Sequence, residues 1–115
     1  MPQTMPETST SLSGRILRWK FEEGPTAGGT YEHTFQPDGG VMFRKVDGTE
    51  TGKLTRVDKY ASYEVAPEVH LVSYLAAESG YTLTIAMNFE TRRLYGFASN
   101  GKEWHPVSGT LEVMK

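Results

Sequence analysis

The chain has 115 residues, 37% of them hydrophobic, a net charge of −2 and no cysteine. That length supports one domain with a modest core, and the charge offers no basic excess for nucleic acid. Lack of cysteine rules out disulfides, thiol catalysis and cysteine-ligated metal, and leans toward a soluble cytoplasmic protein.

Residues 1–13 (MPQTMPETSTSLS) are polar, rich in Thr, Ser and Pro, and contain one isolated leucine. They bury too little apolar surface to offset their ordering entropy, so a disordered leader is expected there, ahead of a domain over 14–115. From Gly14 to Glu23, Leu17, Trp19 and Phe21 alternate with Arg18, Lys20 and Glu22, the period of a half-buried strand. Gly24-Pro25-Thr26-Ala27-Gly28-Gly29 reads as a loop. Thr30 to Gln36 alternates again, with Tyr31, His33 and Phe35 on one face, and Pro37-Asp38-Gly39-Gly40 turns the chain. Val41 to Val46 is a third strand, ended by Asp47-Gly48, and the weak alternation from Gly52 to Asp58 suits an edge or bent strand.

Tyr60 to Ala66 follows, closed by Pro67. The run Val69 to Ala76 (VHLVSYLA) is apolar enough for a strand buried on both faces. Tyr81 to Phe89 alternates cleanly, Arg92 to Ser99 continues it, and Glu103 to Met114 is a last strand broken by Pro106 and Gly109. Short connections force antiparallel neighbours. The predicted fold is therefore all-β: a single up-and-down barrel of eight or nine strands, with an interior suited to one small ligand.

Polar residues on apolar faces are the candidates for chemistry. His33, between Tyr31 and Phe35, could hydrogen-bond or act as a base in the cavity, or simply pair with a backbone carbonyl. Arg44 would anchor a carboxylate if it points inward, whereas Val41 and Phe43 on the inside would leave it solvated. Glu64 and Glu68 flank Pro67, close to His70, and a carboxylate in an apolar pocket could move a proton. His33, His70 and His105 share no metal-ligand spacing, and neither a serine elbow nor a phosphate loop is present, so neither metal nor cofactor is expected.

The segments Gly14–Phe21, Gly29–Phe35, Val69–Tyr74 and Asn88–Tyr95 resemble the MoaF-like proteins. That resemblance implies a small calycin barrel, lipocalin-like in shape, distantly similar to the bacterial phenolic acid decarboxylases. Those enzymes hold a substrate carboxylate with a Tyr-x-Tyr pair on the first strand, aided by an arginine and a glutamate. Here Trp19 and Phe21 stand at the tyrosine positions, while Arg44 and Glu68 fall at or near the other two. Without the phenolic hydroxyls that mechanism is doubtful, and whether the chain is an enzyme stays open, with Arg44 and Glu68 as the catalytic candidates. The expectation is a ligand-binding barrel with Trp19, Phe21, Tyr31, His33, Phe35, Arg44 and Tyr74 around a small, aromatic or carboxylate-bearing molecule. Alternatives are a decarboxylase or lyase, or a filled barrel acting as a homodimer.

Overall fold

The computed structural model describes residues 12–24, 26–47, 50–77 and 79–115. Ten strands follow in chain order: β1 (Ile16–Glu23), β2 (Thr30–Phe35), β3 (Val41–Asp47), β4 (Glu50–Thr51), β5 (Thr55–Val57), β6 (Tyr60–Ala66), β7 (Val69–Ala76), β8 (Tyr81–Asn88), β9 (Arg93–Ser99) and β10 (Trp104–Val113). All pairings are antiparallel, in the order β4-β3-β2-β1-β10-β9-β8-β7-β6, with β5 added beside β3. Among the described residues, β1–β10 is the one strand pairing between elements distant in sequence, so the fold is a meander closed by its two ends. The result is a nearly closed up-and-down barrel. At the remaining seam the Tyr60 N–H donates to the Gly39 carbonyl at 3.0 Å, and the Tyr60 ring meets Phe35 edge-on. Among the described residues, no helix is long and apolar enough to cross a membrane.

Alternation decides what lies inside. Leu17, Trp19 and Phe21 of β1, His33 and Phe35 of β2, Val41 of β3, Val72 and Tyr74 of β7, and Ile85 and Met87 of β8 are buried together. β7 alternates as well, burying His70, Val72 and Tyr74 while Leu75 stays exposed. The strand expected to be buried on both faces thus has one face in the core and one outside. Its outward Val69, Leu71 and Leu75 made the run look continuous.

Two glycines let strands approach closely. A Cβ on Gly96 would lie 1.9 Å from the Thr84 carbonyl oxygen, and one on Gly109 would lie 1.9 Å from that of Lys20. Gly109 therefore does not break β10; it allows β1 and β10 to coil tightly beside the bulge between Phe21 and Glu23. Pro106 also sits within β10, beyond Ser108 where the pairing with β1 ends, so its missing N–H leaves no gap in that ladder.

The expected leader lies mostly outside the described residues. Its last two positions belong to the barrel: Leu12 is fully buried in the core, and its carbonyl accepts from the Arg15 N–H at 2.9 Å. The Gly14 N–H bonds to the Phe35 carbonyl at 2.7 Å, so this turn is fixed across the end of the barrel where β1 begins and β2 ends.

Candidate functional site

The opposite end, where β1 runs out and β2 begins, holds a cavity of about 440 Å³. Its wall combines Phe21, Tyr31, Phe43, Tyr74, Tyr81, Leu83 and Val107 with the small side chains of Ala76 and Ala98. Thr26, Thr55 and Ser79 add hydroxyls, and none of the twelve lining residues is charged. The volume falls within the range of small-molecule sites. Thr26 comes from the loop after β1, which folds back so that the Gly28 N–H donates to the Phe21 carbonyl at 2.8 Å. A groove of about 630 Å³ lies along the outside of the seam, with Arg56, Asp58 and Lys59 among its walls. It is larger, shares Thr55 and Tyr74 with the first cavity, and sets Val57 and Tyr60 of the core beside exposed charged side chains.

Beneath the cavity lies a buried polar pair. His33 Nε2 and Tyr74 Oη are 2.7 Å apart. The His33 ring stacks on Trp19 with centroids 3.6 Å apart and faces Phe43 at 5.4 Å. Loss of solvation in this aromatic packing holds the His33 pKa at about 3, with the Tyr31 backbone acting weakly the other way. The imidazole is therefore neutral. Burial also pushes the Tyr74 phenol well above its ordinary range, so it stays protonated. His33 Nδ1 and Trp19 Nε1 are both buried without an aligned hydrogen-bond partner.

At the rim, Tyr81 donates to the Glu103 carboxylate, a bond that lowers the glutamate's pKa and raises the tyrosine's. Lys45, two residues beyond Phe43 on β3, is exposed.

Arg44 does not reach this site. β3 turns Val41 and Phe43 inward and Arg44 outward, correcting the expected carboxylate anchor. Across β1, β2 and β3 the outer face carries a ladder in which Arg18 Nε meets Glu32 at 2.8 Å and Arg44 Nη2 meets it at 3.2 Å. The Arg18 hydrogen bond is the main reason the Glu32 carboxyl sits below its usual range. Pairing with Glu32 satisfies a charge that a largely aromatic interior would leave unsolvated.

Glu68 sits at φ 66° in the exposed turn between β6 and β7, and neither it nor Arg44 lines the cavity. Of the other expected lining residues, Phe21, Tyr31 and Tyr74 border the cavity, whereas Trp19, His33 and Phe35 lie in the packed core. His70 is buried against Phe89 with Glu64 at 3.8 Å, and His105 is beside Glu103 at 3.7 Å. No three metal-ligating side chains cluster among the described residues. Phe43, Tyr81, Leu83, Ala98 and Val107 were not singled out from the sequence, although the alternation of β8 could have flagged Tyr81 and Leu83.

A sequence profile of the MoaF N-terminal domain matches residues 2–103. The chain belongs to the MoaF N-terminal domain family. No curated protein matches it in sequence. Among solved structures it is similar to a Burkholderia vietnamiensis protein provisionally named a beta-lactamase. That likeness has a TM-score of 0.72 at 18% identity and covers 96% of this chain and 100% of the other. At that identity the likeness establishes a shared fold for this MoaF-type barrel.

Proposed function

We propose that this MoaF-type barrel binds a small, flat, largely apolar and uncharged molecule in the cavity bounded by Phe21, Tyr31, Phe43, Tyr74 and Tyr81. The observation that carries the reading is an aromatic wall of about 440 Å³ without a charged residue. A carboxylate entering it would lose solvation with no cation to compensate, because Arg44 is committed to Glu32 outside. The aromatic part of the original expectation stands in this proposal, and the carboxylate part is replaced. The hydrolytic activity implied by the neighbour's name is not carried over: Ser79 Oγ is held within its own turn, donating to the Ala76 carbonyl at 3.2 Å and accepting from the Tyr81 N–H at 3.3 Å.

A thermal-shift comparison of neutral bicyclic aromatics with aromatic carboxylates tests this. Ligand at a hundred times its dissociation constant stabilises by about 2.7 kcal/mol. Neutral compounds should raise the melting temperature, carboxylates should not, and filling the cavity with Ala98→Phe should abolish the effect. A response confined to carboxylates would refute the reading.

A second reading concerns the outer wall of β7–β10. Leu75, Tyr95, Phe97 and Trp104 are 55%, 58%, 53% and 65% exposed, and Phe97 and Trp104 pack edge to face. They offer roughly 400 Å² of apolar side chain, about half of the ~800 Å² each partner buries in a standard interface. That is close to the apolar share of such interfaces. A second copy of this chain is the proposed occupant, since one apolar patch, with Arg93 over Tyr95 at its edge, can serve both sides of a two-fold. Sedimentation should show a dimer that Trp104→Glu dissociates; a wild-type monomer at tens of micromolar would refute it.

A further inference from the structure

We propose that the cavity has a side door: ligand passes through the barrel wall between β5 and β7, and Arg56 is the latch that holds β5 shut. The proposal rests on the cavity being a ligand site and adds the route by which that site fills and empties.

Around most of the barrel the wall is a continuous antiparallel ladder. β5 has three residues and pairs with β3, and among the described residues no strand pairing joins it to β6 or β7. Across the seam, β6 begins opposite Tyr74, whereas β7 runs on to Ala76. The ladder therefore has a gap between Thr55 and the end of β7. The cavity and the outer groove meet at the same place, because Thr55 and Tyr74 line both. Side chains, and no backbone ladder, divide the two spaces there.

What holds β5 in place is Arg56, which fastens it to the turn between β2 and β3. Its Nη2 lies 3.0 Å from Asp38, its Nε lies 3.4 Å from Asp58, and its Nη1 donates to Gln36. Asp38 in turn accepts from the Gly40 N–H at 2.9 Å. Gly40 gives the guanidinium its seat, since a Cβ there would lie 2.6 Å from Nη2. These bonds face solvent, and exposed ion pairs are weak, so the latch yields more readily than a ladder does. The barrel end is pinned by main chain instead. There the Phe21 N–H donates to the Gly29 carbonyl at 3.1 Å, and the Gly80 N–H to that of Ala76 at 2.8 Å. Of the strands that line the cavity, β5 is the most weakly tied, and lids are drawn from such elements.

The test follows 2-naphthol binding by stopped-flow fluorescence in wild type, Arg56→Ala and Ala61→Trp. Arg56→Ala should speed association and dissociation alike by about fivefold, the effect of one exposed ion pair on an opening equilibrium, with the dissociation constant held within about twofold. Ala61 borders the groove and not the cavity, so a tryptophan there should slow both rates together. Damage to the fold would instead raise the dissociation constant, chiefly through faster dissociation. Wild-type rates in either variant overturn the proposal, as does a change in dissociation alone. Rates that respond to Glu103→Ala in place of Arg56→Ala put the passage at the barrel end beside Tyr81 and overturn it too. In each of these cases naphthol still binds and the cavity reading stands; if wild type does not bind it, that reading falls and the door with it.

Discussion

Lowering the pH from 7 to 5 charges His33 in the unfolded chain but leaves it neutral in the barrel, where burial holds its pKa at about 3 against an ordinary 6.5. The folded pKa is depressed, so His33 costs no stability above 6.5. The loss accumulates as pH falls from there, because the unfolded state binds a proton that the folded state refuses, and it is complete near pH 3. From pH 7 to pH 5 the linkage amounts to about 2 kcal/mol. For a domain of this size that is a drop in melting temperature of about 8 °C.

Other titratable groups contribute to the same pH dependence. His70 is also depressed, mainly by burial and opposed by Glu64, so it adds a slope of the same sign. Glu32, Asp38 and Glu103 are all held below ordinary values of 4.5, 3.8 and 4.5, so their contributions are lost mostly below this window. Urea denaturation of wild type and His33→Gln at pH 7, 6 and 5 separates the terms, because glutamine can still bond Tyr74 and cannot titrate. The wild type should lose about 2 kcal/mol more than the variant across that range. Parallel slopes would mean that His33 titrates normally and is not packed beneath the cavity as described.

Arg44→Ala should leave the affinity for a neutral aromatic probe unchanged and cost under ~1 kcal/mol of stability, as expected of a part-exposed ion pair. Phe43→Ala, one residue earlier on β3 and on the inner face, should weaken the same probe at least several-fold by calorimetry; the reverse pattern would put β3 in the opposite orientation. Gly109→Ala should destabilise by about 2 kcal/mol or more because the added methyl meets the Lys20 carbonyl, while Gly101→Ala, with open space around it, should stay within about 0.5 kcal/mol in urea melts. Leu12→Ala should cost about 2–5 kcal/mol, the range for a fully buried leucine; a loss under ~1 kcal/mol would show that the N-terminal turn does not hold the core.

The strands were legible because alternation in β1, β2, β6 and β8 carries strong apolar contrast, and the connections between them are too short for anything but hairpins. The third strand was not, since Val41, Phe43 and Val46 place apolar side chains on both faces. Its orientation is decided by Glu32, which gathers Arg18 and Arg44 from the two neighbouring strands. That cross-strand register is invisible in one sequence. Leu12 was hidden for a related reason: an isolated leucine in a polar run has no period, and only the turn over the barrel end buries it. Within the site, Phe21, Tyr31 and Tyr74 could be named from strand faces. Depth along the strand axis could not, and so Trp19, His33 and Phe35 were placed in the cavity rather than in the packing beneath it.

The barrel separates its chemistry by wall. Outside, paired charges across β1–β3 sit half in water and contribute little to stability. Inside, His33 and Tyr74 sit where two hydrocarbon rings would pack without any polar group to satisfy, and a buried polar pair is seldom worth more than a well-shaped apolar replacement. Two unpartnered nitrogens, on His33 and Trp19, add to that cost. A fold selected for stability alone would have no use for this arrangement. Tyr74 is shared between the packed core, where it bonds His33, and the cavity wall. On the proposed reading of the cavity as a ligand site, a polar pair that costs the core and borders an apolar cavity is accounted for by what enters that cavity.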